Sequence, residues 1–190
     1  MSINIPRLTS TNSVLIVIDI QDKLLVKIPA AAALVTNTAF LMDAAKLAAV
    51  SVIATEQYPK GLGPTTATIR QRIVGDCLSK TAFSCCGANG FLAGLLQLQR
   101  PMIVLAGMET HVCMMQTVLD LLEAGLHVVL PVDAVAARFN IDHDTALHRM
   151  DRAGAILTTV EAIGFEWLRD STHPQFKTFS QLIQQRTETP

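Results

Sequence analysis

Residues Met102–Asp120 read MIVLAGMETHVCMMQTVLD, and the reading of that stretch decides the fold. It opens on the apolar run Met102-Ile103-Val104-Leu105-Ala106, β-branched at its centre and closed by Gly107. A run of that kind indicates a strand buried on both faces. Past Gly107 the period changes. Val112, Met115, Leu119 and Leu122 recur at helical spacing, which predicts a helix from Thr110 or His111 to about Glu123 with Thr110 as its N-cap. Cys113 then stands in the first turn of a helix that follows a buried strand. The unsatisfied N–H groups and partial positive charge of such a helix end favour a thiolate, the reactive form of cysteine. Cys77, Cys85 and Cys86 have no such setting.

The chain has 190 residues, enough for one α/β domain spanning 1–190 and short for two. Half of the residues are hydrophobic and the mean hydropathy is +0.38, yet the longest apolar stretches are interrupted. Leu34–Ala54 contains Asn37, Asp43 and Lys46, and Phe91–Met108 contains Arg100-Pro101. A spanning helix needs about 20 mostly apolar residues without charge, so no membrane association is predicted. The apolarity reads instead as a sheet buried between helices, with subunit interfaces of a homo-oligomer as a further sink. The start MSINIPRLTS lacks the basic-then-apolar pattern of a signal peptide. A net charge of −1 with scattered Lys and Arg argues against a nucleic-acid partner. Four cysteines, two of them adjacent, resemble neither a disulfide framework nor a CxxC zinc site. A reducing cytoplasm is the expected setting.

Taken in order, residues 1–13 read as a polar lead-in. Val14–Ile18 is a second buried strand, with Asp19 at its carboxyl end. Burying a carboxylate is costly unless it is paired. Asp19 therefore either caps the following turn or faces the crevice beyond the strand ends, where open parallel sheets bind ligands. Pro29–Val50 reads as an Ala-rich helix and Ser51–Thr55 as a third strand, followed by a turn-rich loop from Glu56 to Pro64. Leu78–Thr81 is a short segment before Ala82-Phe83-Ser84. Helices are predicted over Asn89–Leu98, Asp142–Arg152 and Val160–Leu168, and strands over Leu126–Leu130 and Ala155–Thr159. Residues 174–186 read as a last helix in a C-terminal extension, about 170–190, that is a candidate for a subunit interface. Strands alternating with helices predict a parallel sheet covered on both faces.

Three segments then carry a resemblance. VLIVIDIQ (Val14–Gln21), SKTAFS (Ser79–Ser84) and GMETHVCMMQ (Gly107–Gln116) are similar in order and spacing to the isochorismatase-like cysteine hydrolases. LDLLEAG (119–125), VDA (132–134) and AGA (153–155) continue the match, which covers about 12–165. TEQYPKGLGP (Thr55–Pro64) resembles the isochorismatase-domain-containing subgroup, whose physiological substrate is generally unassigned. The resemblance implies a three-layer α/β/α fold with a six-stranded, mainly parallel sheet. It also implies a catalytic trio of Asp, Lys and Cys, carried here by Asp19, Lys80 and Cys113. Lys80 comes from the resemblance alone, since the residues themselves single out only Asp19 and Cys113. No cofactor is implied.

The chemistry expected of that trio is nucleophilic catalysis on a C–N bond of a small amide or carbamoyl-like substrate. Lys80 and the helix end would hold Cys113 as thiolate. Asp19 would take the thiol proton, pass it to the leaving nitrogen, and later activate the water that hydrolyses a thioacyl-enzyme. The family places a cis peptide before the nucleophile helix. By position it falls between Met108 and Glu109, with the N–H groups of Glu109 and Cys113 facing the oxyanion.

Gln21, Tyr58, Phe83 and the Glu109 side chain are further candidates for substrate binding, although the two aromatics could equally be plain packing and Glu109 could reach solvent. His111 lies two residues before Cys113, about 200° around a helix, which favours packing or capping over a Cys–His pair. His143 and His148 read as surface residues. Nicotinamidases of this family hold a metal with an Asp-x-His pair after the third strand described above. Glu56-Gln57-Tyr58 stands there, so no metal is predicted and that activity is disfavoured. True isochorismatases lack the nucleophilic cysteine, which disfavours that activity too. A ribonuclease, a redox thiol protein and a scaffold keeping a relict site remain as alternatives of other classes.

Overall fold

In the computed structural model, which describes residues 7–187, β1 (Ser13–Ile18) is buried along its whole length. Its side chains alternate between two cores, with Leu15 and Val17 facing one and Val14, Ile16 and Ile18 the other. β4 (Met102–Met108) alternates in the same way, Met102, Val104 and Ala106 against Ile103 and Leu105. That two-sided burial follows from the uniformly apolar runs, because a period of two sends half of each run to either face.

The remaining strands are β2 (Ser51–Gln57), β3 (Leu78–Lys80), β5 (His127–Pro131), β6 (Val135–Ala136) and β7 (Ile156–Thr158). Every pairing is parallel. The order is β3-β2-β1-β4-β5-β7, with β6 pairing only the end of β4. The path thus holds the six strands expected, and the two-residue β6 is an addition that the sequence pattern did not signal.

Short helical turns α1 (Asp22–Leu25), α3 (Pro59–Leu62) and α4 (Ala67–Arg70) lie among the longer helices α2 (Ala31–Leu47), α5 (Phe91–Gln97), α6 (Met115–Glu123), α7 (Asn140–Ala153), α8 (Val160–Leu168) and α9 (Phe176–Thr187). Residues of α2, α8 and α9 fill one core and residues of α5, α6 and α7 the other, which makes three layers. Among the described residues no helix is long and apolar enough to cross a membrane.

Two differences from the sequence reading have plain causes. β2 runs past Thr55 to Gln57 because Glu56 and Gln57 pair with Ser79 and Lys80, a partner strand too short to show in the sequence. The lead-in is docked where it is described: Leu8 is buried, and its N–H donates to Glu166 Oε2 at 3.1 Å. Residues 1–6 lie outside the described residues. The last helix packs on its own chain. Phe179 is fully buried beside Phe40 and edge-on to Phe165, with centroids 5.8 and 5.2 Å away. Arg186 lies over the Phe40 ring and donates to Asn37 Oδ1, Asp133 Oδ2 and Glu161 Oε2.

β1 is the point where the strand order reverses, since β2 lies on one side of it and β4 on the other. A crevice beyond the carboxyl ends of the strands is expected there. Closing that crevice requires Gly107. It has φ +139°, and a Cβ on it would stand 2.1 Å from the Ile18 carbonyl oxygen. Any side chain would push the end of β4 away from β1.

Candidate active site

Asp19 directly follows β1, with φ 55°, and its N–H donates to the Thr55 carbonyl at 3.2 Å. The β1–β2 ladder thereby extends one step and fixes the backbone from which the carboxylate projects. Lys80 ends β3, two strands away, and its side chain crosses the end of β2. The two side chains are completely buried, with Lys80 Nζ 2.6 Å from Asp19 Oδ2. Lys80 also donates to Gln57 Oε1 at 2.6 Å, Phe83 O at 3.0 Å and Ala82 O at 3.4 Å. Asp19 Oδ1 accepts from the Thr55 hydroxyl at 2.8 Å.

Cys113 arrives from the other side of β1, on the turn that follows β4. Its thiol lies 3.8 Å from Gln57 Oε1 and near enough to Asp19 and Lys80 that both act on its acidity. The structure therefore brings Asp19, Lys80 and Cys113 together from three strand ends.

The turn itself differs from the expected regular helix. Thr110–Met114 is a single π-helical turn, with Glu109 at its N-cap position and α6 beginning only at Met115. Such turns occur often at functional sites. Thr110 does not cap it, because its hydroxyl is 2.9 Å from His143 Nδ1. His143 is therefore half-buried against the turn that carries Cys113 and not a plain surface residue, as the distance along the sequence had hidden. His111 Nε2 lies 3.8 Å from Asp142 Oδ2. The Met108–Glu109 peptide is cis.

The expected resting thiolate is corrected by the surroundings. Burial, and next the Asp19 carboxylate, push the Cys113 thiol up to about 12 against the lowering effect of Lys80. Lys80 is already engaged with Asp19, so its charge is largely neutralised as seen from the sulfur. The cysteine rests as a neutral thiol with an acceptor carboxylate beside it.

Two candidates for substrate contact are already engaged. Gln21 is fully buried, and its amide is used up by backbone: Nε2 donates to Gln57 O at 3.1 Å and Gly63 O at 2.6 Å, while Oε1 accepts from Gln57 N at 2.8 Å. It clamps β2 to the loop after it. The Glu109 carboxylate accepts from the Arg138 backbone N–H at 3.1 Å and from Nε at 2.9 Å. Tyr58 and Phe83 are half-exposed beside Lys80: Tyr58 N donates to Lys80 O, and Phe83 O accepts from Lys80 Nζ.

Sequence reasoning missed Thr55 and Gln57. Both lie on one face of β2, two residues apart at its carboxyl end, and β2 pairs β1 in register up to Ile18–Thr55. That placement was the available signal. Within β2, Glu56 Oε1 accepts from Thr65 N and Oγ1 at 2.7 and 2.8 Å. Among the described residues no three or more His, Cys, Asp and Glu side chains converge as a metal site.

The isochorismatase domain model matches residues 13–162. The chain belongs to the isochorismatase family. Isochorismatase domain-containing protein 2A of Mus musculus is 38% identical over 180 residues, 94% of this chain and 86% of that one. The MAR1 ribonuclease structure from Caenorhabditis elegans is 40% identical and superposes with a TM-score of 0.90, covering 97% of this chain and 95% of that one. The YcaC gene product of Escherichia coli, described as an octameric hydrolase of unknown specificity, shares the fold at 21% identity and a TM-score of 0.84, with both chains covered completely.

Proposed function

We propose that this member of the isochorismatase family is a cysteine hydrolase that cleaves a C–N bond of a small amide or carbamoyl-like substrate. One observation carries the reading: a buried Asp19–Lys80 pair at 2.6 Å with the Cys113 thiol against its carboxylate. A buried charge pair stabilises a fold little compared with packed apolar side chains, so its position at the strand-order reversal points to chemistry.

The neutral thiol gives its proton to Asp19 as its sulfur attacks the substrate carbonyl carbon. Lys80 offsets the charge change at the carboxylate. The tetrahedral oxyanion is met by the N–H groups of Glu109 and Cys113. Asp19 then protonates the leaving nitrogen, the C–N bond breaks, and a thioacyl-enzyme remains. Water loses a proton to Asp19 and attacks the thioester. The departing Cys113 sulfur recovers the proton. Proton transfer by one group in both directions is ordinary general acid–base catalysis.

Tyr58 and Phe83 form the pocket rim, and Gln57 positions Lys80 against the thiol. We also assign a homo-oligomeric assembly. Phe139 and Ile141 are 61% and 74% exposed at the start of α7, beside the Glu109–Arg138 contact, and such apolar surface favours a protein partner.

A second reading has one observation in its favour, the name of the Caenorhabditis elegans relative. Ribonuclease activity would require a surface that receives phosphates, whereas this chain carries a net charge of −1. Ammonia release from a panel of neutral amides and carbamoyl compounds, beside an RNA-cleavage assay, separates the readings. The hydrolase reading expects turnover of at least one amide, lost by more than about 10³-fold in Cys113→Ser, and acyl adducts on Cys113 by intact mass. RNA cleavage that survives Cys113→Ser would overturn it, and total inertness would favour a scaffold with a relict site.

A further inference from the structure

The Asp19 carboxylate has two oxygens with different partners. Oδ2 belongs to Lys80, and Oδ1 accepts from the Thr55 hydroxyl at 2.8 Å. Thr55 is 1% exposed and also holds the Asp19 backbone, since its carbonyl accepts the Asp19 N–H at 3.2 Å. A hydroxyl has one proton to give. That proton goes to Asp19, so the Thr55 oxygen can only accept from its other side.

The donor there is Cys85. Its Sγ is 3.9 Å from Thr55 Oγ1, and burial makes its thiol a weaker acid, which keeps it protonated. Cys85 is in turn fixed to the nucleophile turn. Its N–H donates to Thr117 Oγ1 at 3.0 Å, and the Thr117 hydroxyl donates to the Cys113 carbonyl at 2.7 Å. The contacts form one thread: Cys113 carbonyl, Thr117, Cys85, Thr55, Asp19. Its first member carries the nucleophile and its last is the base, and every hydroxyl along it has its proton direction determined.

We propose that Thr55 is a positioning residue for the hydrolase reaction, its hydroxyl pinning Oδ1 of Asp19 at the far end of a buried thread that starts on the backbone of Cys113. The proposal rests on the hydrolase reading and adds a residue to it. Asp19 has to face the thiol of Cys113 while remaining paired to Lys80, and a carboxylate free to rotate about its terminal torsion would not hold both. Thr55 and Cys85 supply the restraint from the side opposite Lys80. Valine has the shape of threonine without the hydroxyl, and at this position it would leave Oδ1 buried with one donor fewer.

The test needs no substrate. Cys113 alkylation by iodoacetamide is followed by peptide mass at one near-neutral pH in the wild type, Thr55→Val, Thr55→Ser and Asp19→Asn, with melting curves as the control for folding. Asp19→Asn is expected to change the rate by about tenfold or more. Thr55→Val, which leaves Oδ1 without its hydroxyl donor, should change it in the same direction by about 3–10-fold, and Thr55→Ser should keep the wild-type rate. An unchanged rate in folded Thr55→Val, or a change equally large in Thr55→Ser, would overturn the role of Thr55 while leaving the hydrolase reading intact. An Asp19→Asn protein that reacts like the wild type would overturn both.

Discussion

Replacing Lys80 by methionine removes the cation while keeping the length and most of the volume of the side chain. The cost follows from what each partner has left. Without Lys80, Asp19 is a fully buried carboxylate that keeps the Thr55 hydroxyl as its side-chain donor. Breaking a buried pair by deleting one member costs about 3–5 kcal/mol. For a domain of this size that lowers the melting temperature by about 6–20 °C. The reverse change is milder. In Asp19→Asn, Lys80 keeps Gln57 Oε1 and the Phe83 and Ala82 carbonyls as acceptors, so we expect a loss of roughly 1–3 kcal/mol. The double variant buries two uncharged side chains of suitable size and should lie within about 2 kcal/mol of the wild type. Urea unfolding of the four proteins, read by two probes, gives the complete cycle. A Lys80→Met protein within about 1 kcal/mol of the wild type, or a double variant no more stable than Lys80→Met, would refute the reasoning. Either result would mean that the pair is solvated and the crevice open where the structure has it closed.

Two further predictions follow from the packing. Cys113 ionises near 9.0 when unhindered and is pushed up to about 12 in the fold. Between those values the unfolded chain has released a proton that the folded chain retains. Stability should therefore be unaffected by this thiol below pH 9.0 and fall as pH rises towards 12. Unfolding curves on that alkaline range should be flatter in Cys113→Ala; an equal slope would show that the thiol is not buried as described. In the second, Phe179→Ala removes the ring that seats α9 between Phe40 and Phe165, where a Cβ on Gly164 would already touch it at 2.4 Å. A loss of about 3–5 kcal/mol is expected, and preserved stability would show that α9 does not depend on its own chain for its seat.

The layers and the placement of Asp19 and Cys113 were legible in the chain because they rest on local rules. Uniform apolar runs such as Val14–Ile18 and Met102–Ala106 can be satisfied only between two covered faces, and Gly107 after a strand marks a close approach whatever lies opposite. A carboxylate at a strand end and a cysteine at a helix start are visible in the same way. Lys80 was not visible locally. It sits on a three-residue strand, and its significance depends on crossing the end of β2 to meet Asp19, which no periodicity encodes.

What the sequence by itself determined was the set of longer elements and the two residues that local pattern places at strand and helix ends. Tertiary structure decided the rest, because it depends on neighbours distant along the chain. Strand order put Asp19 between Lys80 and Cys113. The β2–β3 pairing made Thr55 and Gln57 part of the site. Gln21 was diverted to clamping backbone, since burial obliges an amide to find partners where it lies. The clearest reversal concerns Cys113. A helix start and a nearby lysine favour thiolate, yet desolvation and an adjacent carboxylate outweigh them once the turn is packed. The sign of a charge effect is set by the whole shell around the sulfur, and only the folded chain assembles that shell.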